Sequence, residues 1–368
     1  MKHRSLLWAL TPLVVLALVL SACAPATTEA PPAATEAPAA TEAPATEAPA
    51  ATEAPAAACE GDYVLVPKNL GNPYFDTANK GAQEAATELG ITVLYQGSAT
   101  ADATEQITLL NSLIAQQPCG LAISANDADA LVPTGQAAMD ASIPVVTWDS
   151  GIAPDGRNFH LNQAVLQDIG AVQIQMASEL AGPDGGQIAI LSATSTAPNQ
   201  NAWIEVMKEE LTKPEYANLE LVETVYGDDD DTKSYSEAQA LFTKYPDLKV
   251  IIAPTTVGIA ASARAVTDAD LIGQVFVTGL GLPNQMREYV KNGSSPQFAL
   301  WNPSDLGYLA VYAMHALATG EITGEAGETF DAGKLGEKTI EENADLGLNV
   351  LLGPPFVFNT DNIDEFDF

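Results

Sequence analysis

The chain has 368 residues, with 48 acidic and 15 basic side chains and a formal net charge of −33. A hydrophobic share of 47% against 17% charged residues excludes a wholly disordered chain. The acidity argues against a nucleic-acid partner, which needs a basic face to release counterions, and against a polybasic grip on anionic lipid heads.

The amino end reads as an address. Lys2 and Arg4 make a short cationic start, an apolar run follows over residues 6–20 with only Thr11 and Pro12 interrupting it, and small residues lead to Cys23. The run is short of the about 20 apolar residues that a membrane span needs. Leu20-Ser21-Ala22-Cys23 resembles the bacterial lipobox. That resemblance implies removal of a signal peptide, residues 1–22, and lipidation of Cys23, which would anchor the chain on the extracytoplasmic face of the cell membrane. The alternative is a plain signal peptide with an incidental cysteine. Up to residue 58 the chain is almost entirely Ala, Pro, Thr and Glu, with Thr-Glu-Ala-Pro recurring from Thr28, Thr35, Thr41, Thr46 and Thr52. Nothing there offsets the entropy of ordering, and frequent proline favours extended conformations, so residues 23–58 are expected to form a semi-stiff tether.

The body starts near Cys59. With Cys23 lipidated, Cys59 and Cys119 are an even pair in an exported chain, too few for a disulfide-built scaffold. Each precedes an apolar strand-like run, 63–66 and 121–123. If those strands are parallel neighbours, both sulfurs lie at one edge of a sheet and a disulfide fits; two separate buried thiols are the alternative. Further strand-like runs fall at 91–95 and 145–148, with helical patterns at 75–89, 105–116 and 128–141. A second series has strands at 187–191, 219–226, 250–253 and 275–278, and helices at 166–181, 201–211, 234–244 and 258–266. Continuous apolar strands alternating with amphipathic helices predict parallel sheets covered on both faces. Because the series occurs twice, the expected class is α/β, with two doubly wound, Rossmann-like lobes. Ligands of such sheets sit beyond the carboxyl ends of the strands, so two sheets facing each other would form a cleft.

Residues just after the strands are therefore the candidates. The loop after the first strand carries Lys68, Asn72 and Phe75: a cation and an amide to bond hydroxyls, and a ring to cover an apolar sugar face. Asp149 ends the fourth strand, and an ionised carboxylate accepts hydroxyl hydrogen bonds worth about 1.5–3 kcal/mol each. In the second series Asn199 suits either a helix N-cap or a ligand contact, and Gln200 a ligand contact. Pro254 and Thr256 close a later strand, and Asn302 lies in a stretch expected to cross between lobes. Catalytic motifs are missing. Gly279-Leu280-Gly281 has Asn284 at the third glycine position of a dinucleotide fingerprint, and P-loop, HExxH and Gly-x-Ser-x-Gly signatures are absent. His160 and His315 read as structural. The acidic run 228–231 lacks EF-hand spacing and reads as a solvated turn and helix start. Neither metal nor cofactor is expected, and the chain is not read as an enzyme.

From roughly residue 62 to the carboxyl end the chain resembles the periplasmic sugar-binding proteins of ABC importers, of the ribose-binding-like type-one fold. The stretches that carry the likeness are VPKNLGNPYFD at Val66, TWDS at Thr147, NQNAW at Asn199, YPDLKVIIAP at Tyr245, LWNP at Leu300 and the ending NIDEFDF. They point to the rhamnose-binding and autoinducer-2-binding branch. The resemblance implies three crossings between lobes, near residues 158–163, near 298–302 and once in the tail. Lobe 1 is then expected over 59–160 and 300–328, and lobe 2 over 161–299 and 329–368. It also implies a monomeric receptor that delivers a neutral sugar to an importer permease. The autoinducer-2 pattern falls on Lys68, Asp149, Asn199, Gln200, Pro254 and Thr256, with Asn199 in place of an acid and Thr256 in place of a small apolar residue. GLGLPNQM at Gly279 and ALWNPSDLGY at Ala299 look more like the rhamnose binders, which favours a deoxyhexose such as rhamnose.

Overall fold

A computed structural model describes Cys59, residues 61–344 and residues 346–368. The expected signal segment, the lipidation site at Cys23 and the tether up to residue 58 lie outside the described residues. The chain opens as β1 (Tyr63–Val66), α1 (Pro73–Leu89), β2 (Val93–Tyr95), α2 (Ala103–Ile114), β3 (Gly120–Ile123), α3 (Val132–Asp140), β4 (Val145–Trp148) and β5 (Phe159–Asn162). A second run comprises α4 (Leu166–Ala181), β6 (Gly186–Ser192), α5 (Pro198–Glu210), β7 (Leu219–Tyr226), α6 (Asp231–Lys244) and β8 (Leu248–Ala253). It continues through α7 (Thr256–Asp268), β9 (Phe276–Gly279), α8 (Pro283–Asn292) and β10 (Gln297–Leu300). The tail adds α9 (Pro303–Ala318), β11 (Thr329–Asp331), β12 (Glu337–Thr339), β13 (Glu341–Asn343), β14 (Gly347–Leu351) and β15 (Phe356–Asn359).

The first sheet has the order β2-β1-β3-β4-β5-β14-β13, parallel except for β13. The second has β7-β6-β8-β9, all parallel, and β10 continues it through the bridge between Leu280 and Ala299 while pairing antiparallel with β15. Each sheet starts in the doubly wound 2-1-3-4-5 pattern, as the alternation of apolar runs and helices predicts. The central strands are buried along their length: β1, β3 and β4 expose none of their residues. Strands covered on both faces need apolar residues at every position, which is why they read as runs without alternation.

The tail corrects one expected boundary. Residues 329–351 were assigned by sequence to the second lobe, but β14 pairs with β5, placing Asn349 opposite His160, and the Phe330 ring lies 6.4 Å from that of Phe159. This stretch belongs with the first sheet, and only β15 and the residues after it join the second. The first sheet likewise extends through Asn162, two residues beyond the expected end of lobe 1. The chain therefore crosses between sheets at 163–165, 301–302 and 352–355.

Two local features set the frame for the cleft. The first is the entry to α1, where Asn72 Oδ1 accepts from the Tyr74 amide at 3.0 Å, with Pro73 at the first helical position. The second is the packing of α1 on α9, backbone against backbone. A Cβ at Gly307 would lie 1.9 Å from the Ala78 carbonyl oxygen, and one at Gly81 1.8 Å from that of Ser304. Gly307→Ala is expected to cost about 1–3 kcal/mol by forcing the helices apart, read as a lower urea midpoint at unchanged slope.

Cys59 and Cys119 form a disulfide with their Cα atoms 5.7 Å apart, at the edge where the parallel neighbours β1 and β3 begin. The bridge closes a segment of sequence separation 60. Restricting a chain of that length stabilises by about 4 kcal/mol on chain-entropy grounds. The double replacement Cys59→Ser and Cys119→Ser should therefore lower the unfolding free energy by a few kcal/mol, and a denaturant melt that does not move would refute this.

Candidate functional site

A small cavity lies between the sheets. It is lined by Lys68, Asn72, Tyr74, Phe75, Asp149, Asn199, Gln200, Trp203, Asp229, Pro254, Thr255, Thr256, Leu280, Leu300 and Trp301. Every one sits just beyond, or at the last residue of, a strand, or in the first turns of the helix that follows. That is where two parallel sheets facing each other must place their ligand.

The polar ring is built around Asp149. Its backbone has φ of 60°, left-handed for an L-residue, and Ser150 N closes a tight turn onto Trp148 O. Conformations of this kind persist where the surroundings over-determine them, and they concentrate at functional sites. The surroundings are visible here. Ser124 Oγ donates to Asp149 Oδ2 at 2.8 Å, Asn199 Nδ2 donates to Oδ1 at 3.1 Å, and the Lys68 ammonium lies 3.6 Å from Oδ2. Lys68 also donates to Asn199 Oδ1 at 2.9 Å, so a buried cation, a carboxylate and an amide from opposite lobes form one closed junction. Gln200 is held from behind. Its Oε1 accepts from Ser192 Oγ and from the Ala193 amide, each at 2.8 Å, which leaves Nε2 without a protein partner among the described residues.

Further bonds cross the cleft. Thr196 Oγ1 donates to Asn126 O at 3.2 Å and Thr256 Oγ1 lies 3.5 Å from Asn72 Oδ1, while within the first lobe Asn126 Nδ2 secures Lys68 O at 2.9 Å. The apolar side of the cavity is aromatic. Phe75 meets Trp148 edge-on at 5.6 Å and Tyr74 at 5.2 Å, and Trp301 packs on Trp203 at 5.9 Å. Trp301 Nε1 donates to Tyr74 Oη at 2.8 Å. Burial, and then the charge of Asp149, hold the Tyr74 hydroxyl well above the usual tyrosine range, so it stays a neutral hydrogen-bonding group. One cation and two carboxylates in a pocket of this size disfavour an anionic guest and suit an uncharged one with many hydroxyls.

The model for the periplasmic binding protein domain matches residues 63–322. The chain belongs to the periplasmic binding protein family. A solved ABC transporter solute-binding protein from Clostridium phytofermentas with bound L-rhamnose is 38% identical, with 84% of this chain and 98% of that one covered and a TM-score of 0.81. A sugar ABC transporter protein from Actinomyces odontolyticus is 46% identical over 84% and 98% of the two chains, TM-score 0.66. LsrB from Clostridium saccharobutylicum in complex with AI-2 is 25% identical over 83% and 100%, TM-score 0.79. These relatives are binding components of transporters, not enzymes, and the two lobes of this binding protein have the family's type I fold.

Among the residues expected from sequence, Lys68, Asn72, Phe75, Asp149, Asn199, Gln200, Pro254 and Thr256 come together in the cavity of the binding protein. Asn302 does not. Its Oδ1 caps α9 through the Ser304 amide at 3.0 Å and its Nδ2 donates to Asp305 Oδ2, so the side chain is spent on starting the helix. Asn199 is not the N-cap of α5; the helix starts at Pro198 after Ala197, which frees the amide for the junction. Neither histidine faces the cavity. His160 is buried beside Thr147 and Arg157, with burial first and Arg157 second holding it well below the usual histidine range, and His315 bonds the Tyr63 hydroxyl at 3.1 Å. Sequence reasoning missed Tyr74, Trp203, Asp229, Thr255, Leu280, Leu300 and Trp301 as lining residues. Tyr74, Trp203 and Trp301 stood in quoted motifs, and their place just after a strand or in the first turns of the helix that follows was the available signal. Among the described residues no group of His, Cys, Asp or Glu is arranged to hold a metal ion, and no helix is long and apolar enough to cross a membrane.

Proposed function

We propose that this protein captures a neutral monosaccharide, L-rhamnose or a related deoxyhexose, between its lobes and delivers it to an ABC importer. It would do so as a monomer outside the cytoplasm, held to the membrane by a lipid on Cys23. The observation that carries the reading is the composition of the cavity. Lys68, Asp149, Asn199 and Gln200 supply charge-assisted and amide bonds, while Phe75, Trp203 and Trp301 supply apolar faces. A deoxyhexose offers partners for both, hydroxyls for the polar groups and ring C–H faces with a methyl group for the rings. The rhamnose-bound relative supports the choice of sugar. Autoinducer-2 is the second reading, supported by the AI-2-bound relative. Against it stand Asn199 and Thr256, where the resemblance calls for an acid and for a small apolar residue.

A thermal-shift screen with L-rhamnose, other deoxyhexoses, pentoses, hexoses and autoinducer-2 tests this. A ligand at a hundred times its Kd stabilises by about 2.7 kcal/mol, a readily measured rise in Tm. A shift with rhamnose and little with autoinducer-2 is the expected result; the reverse replaces the first reading by the second, and no shift with any carbohydrate sinks both. Asp149→Ala should weaken binding by about tenfold or more, because it removes a carboxylate acceptor and leaves the buried Lys68 ammonium without its counter-charge. Unchanged affinity by titration calorimetry would take Asp149 out of the site.

A further inference from the structure

Four consecutive aspartates, residues 228–231, follow β7. Three of them hold local structure at the surface. Asp228 forms an ion pair with Lys233, Asp230 caps α6 by accepting from the Lys233 amide at 2.7 Å, and Asp231 pairs with Arg264 at 2.8 Å. Asp229 does none of this. Its side chain lines the interlobe cavity, and its Oδ1 accepts from Thr255 Oγ1. Its Oδ2 has no hydrogen-bond or ion-pair partner among the described residues. The backbone is turned to aim it there, with φ of 54° at Asp228 and 51° at Asp229, a left-handed pair that L-residues seldom adopt. The loop is fastened by bonds from the Gly227 amide to Ser192 O at 2.8 Å and from the Asp228 amide to Ala193 O at 2.9 Å.

Asp149 is in a different condition. Its two oxygens already receive Ser124, Asn199 and the Lys68 ammonium. A carboxylate offers about four acceptor positions, and Asp229 has the most left unspent. We propose that Asp229 is a ligand-binding residue whose free Oδ2 accepts a sugar hydroxyl from the second lobe, while Asp149 chiefly positions Lys68 and Asn199. The inference rests on the reading of the cavity as a sugar site.

The electrostatics give it a signature. Burial raises the Asp229 pKa; Lys68 and the Thr255 hydroxyl oppose that, Asp149 and Asp228 add to it, and the net direction is upward. A protonated carboxyl is the poorer acceptor, so affinity should fall on acidification and begin to fall above the ordinary aspartate range. The sign for stability is the opposite of that for a paired carboxylate. With its folded-state pKa above the unfolded one, the ionised group opposes folding at neutral pH, and this cost disappears as pH falls. Asp229→Asn keeps an acceptor for Thr255 and removes the charge.

The test is titration calorimetry of L-rhamnose with wild type and Asp229→Asn from mildly acidic to neutral pH, together with melts of the ligand-free proteins. The expected result is binding weaker by about tenfold or more at neutral pH, loss of the decline on acidification, and a ligand-free Tm equal to or above that of wild type. Equal affinity in both proteins overturns the inference and leaves the sugar reading intact. A lower ligand-free Tm in Asp229→Asn, repeated in Asp229→Ala, overturns it in favour of a structural role. Wild-type protein that binds no carbohydrate overturns the sugar reading and this inference with it.

Discussion

The junction of Lys68, Asp149 and Asn199 is the constraint on which the cleft depends. Lys68 follows β1 and Asp149 follows β4, so both charges belong to the first lobe, while Asn199 lies in the first turn of α5 in the second. Taking an ammonium and a carboxylate out of water costs several kcal/mol per ion unless each finds a partner. Here they find each other, and the second lobe closes the remaining positions with one amide that both donates to Asp149 and accepts from Lys68. An amide does what neither an acid nor an amine can do at that point, because only it carries both functions. A carboxylate at position 199 would crowd a second negative charge onto Asp149 and reverse the sense of that contact.

Strain and rigidity are distributed to serve this junction. The left-handed backbones at Asp149 and Asp229 lie at strand ends, where a sheet behind them fixes the chain on one side and a loop is free to turn on the other. Behind α1 there is no such freedom. The contact of Gly81 and Gly307 with opposing carbonyls leaves the helix one position, and Asn72, Tyr74 and Phe75 ride on its first turn. The aromatic wall spans both lobes for the same reason. Trp301 lies between β10 and α9, at a crossing point, and its indole N–H is tied to Tyr74 on the first lobe while its ring packs on Trp203 of the second.

What could be read from the sequence follows from how each part is stabilised. The runs at 63–66 and 145–148 announced themselves because strands covered on both faces admit only apolar residues, and the loops after them then located Lys68 and Asp149 without further information. Strands β5 and β13 gave no such signal: Phe-His-Leu-Asn is buried between β4 and β14 yet half polar, and Glu-Glu-Asn is an exposed edge strand made by pairing with β14. That is why the tail was expected in the wrong lobe. Asn302 misled for a simpler reason, since an asparagine before proline is equally suited to capping a helix, and it does so here. Asp229 was hidden by its neighbours. Three aspartates with surface duties surround it, and only the backbone conformation of the loop separates the one that turns inward.

The same accounting explains why such a site suits reversible capture. The lobes meet across the cleft through polar contacts at Lys68, Asp149, Asn199, Thr196 and Thr256, beside the aromatic contacts of Trp301 with Tyr74 and Trp203. Separating the lobes would return the buried Lys68 and Asp149 charges to water and so offset part of the bonds broken. A ligand shifts an equilibrium between separated and apposed lobes only by its differential affinity for the two. Lys68, Asp149, Asn199, Gln200, Asp229 and Thr256 come from both lobes, so a guest bonded to them is fully bonded only when the lobes are together. The preference for the closed form is thus written into the division of the site itself, and a guest contacting one lobe alone would bind without closing it.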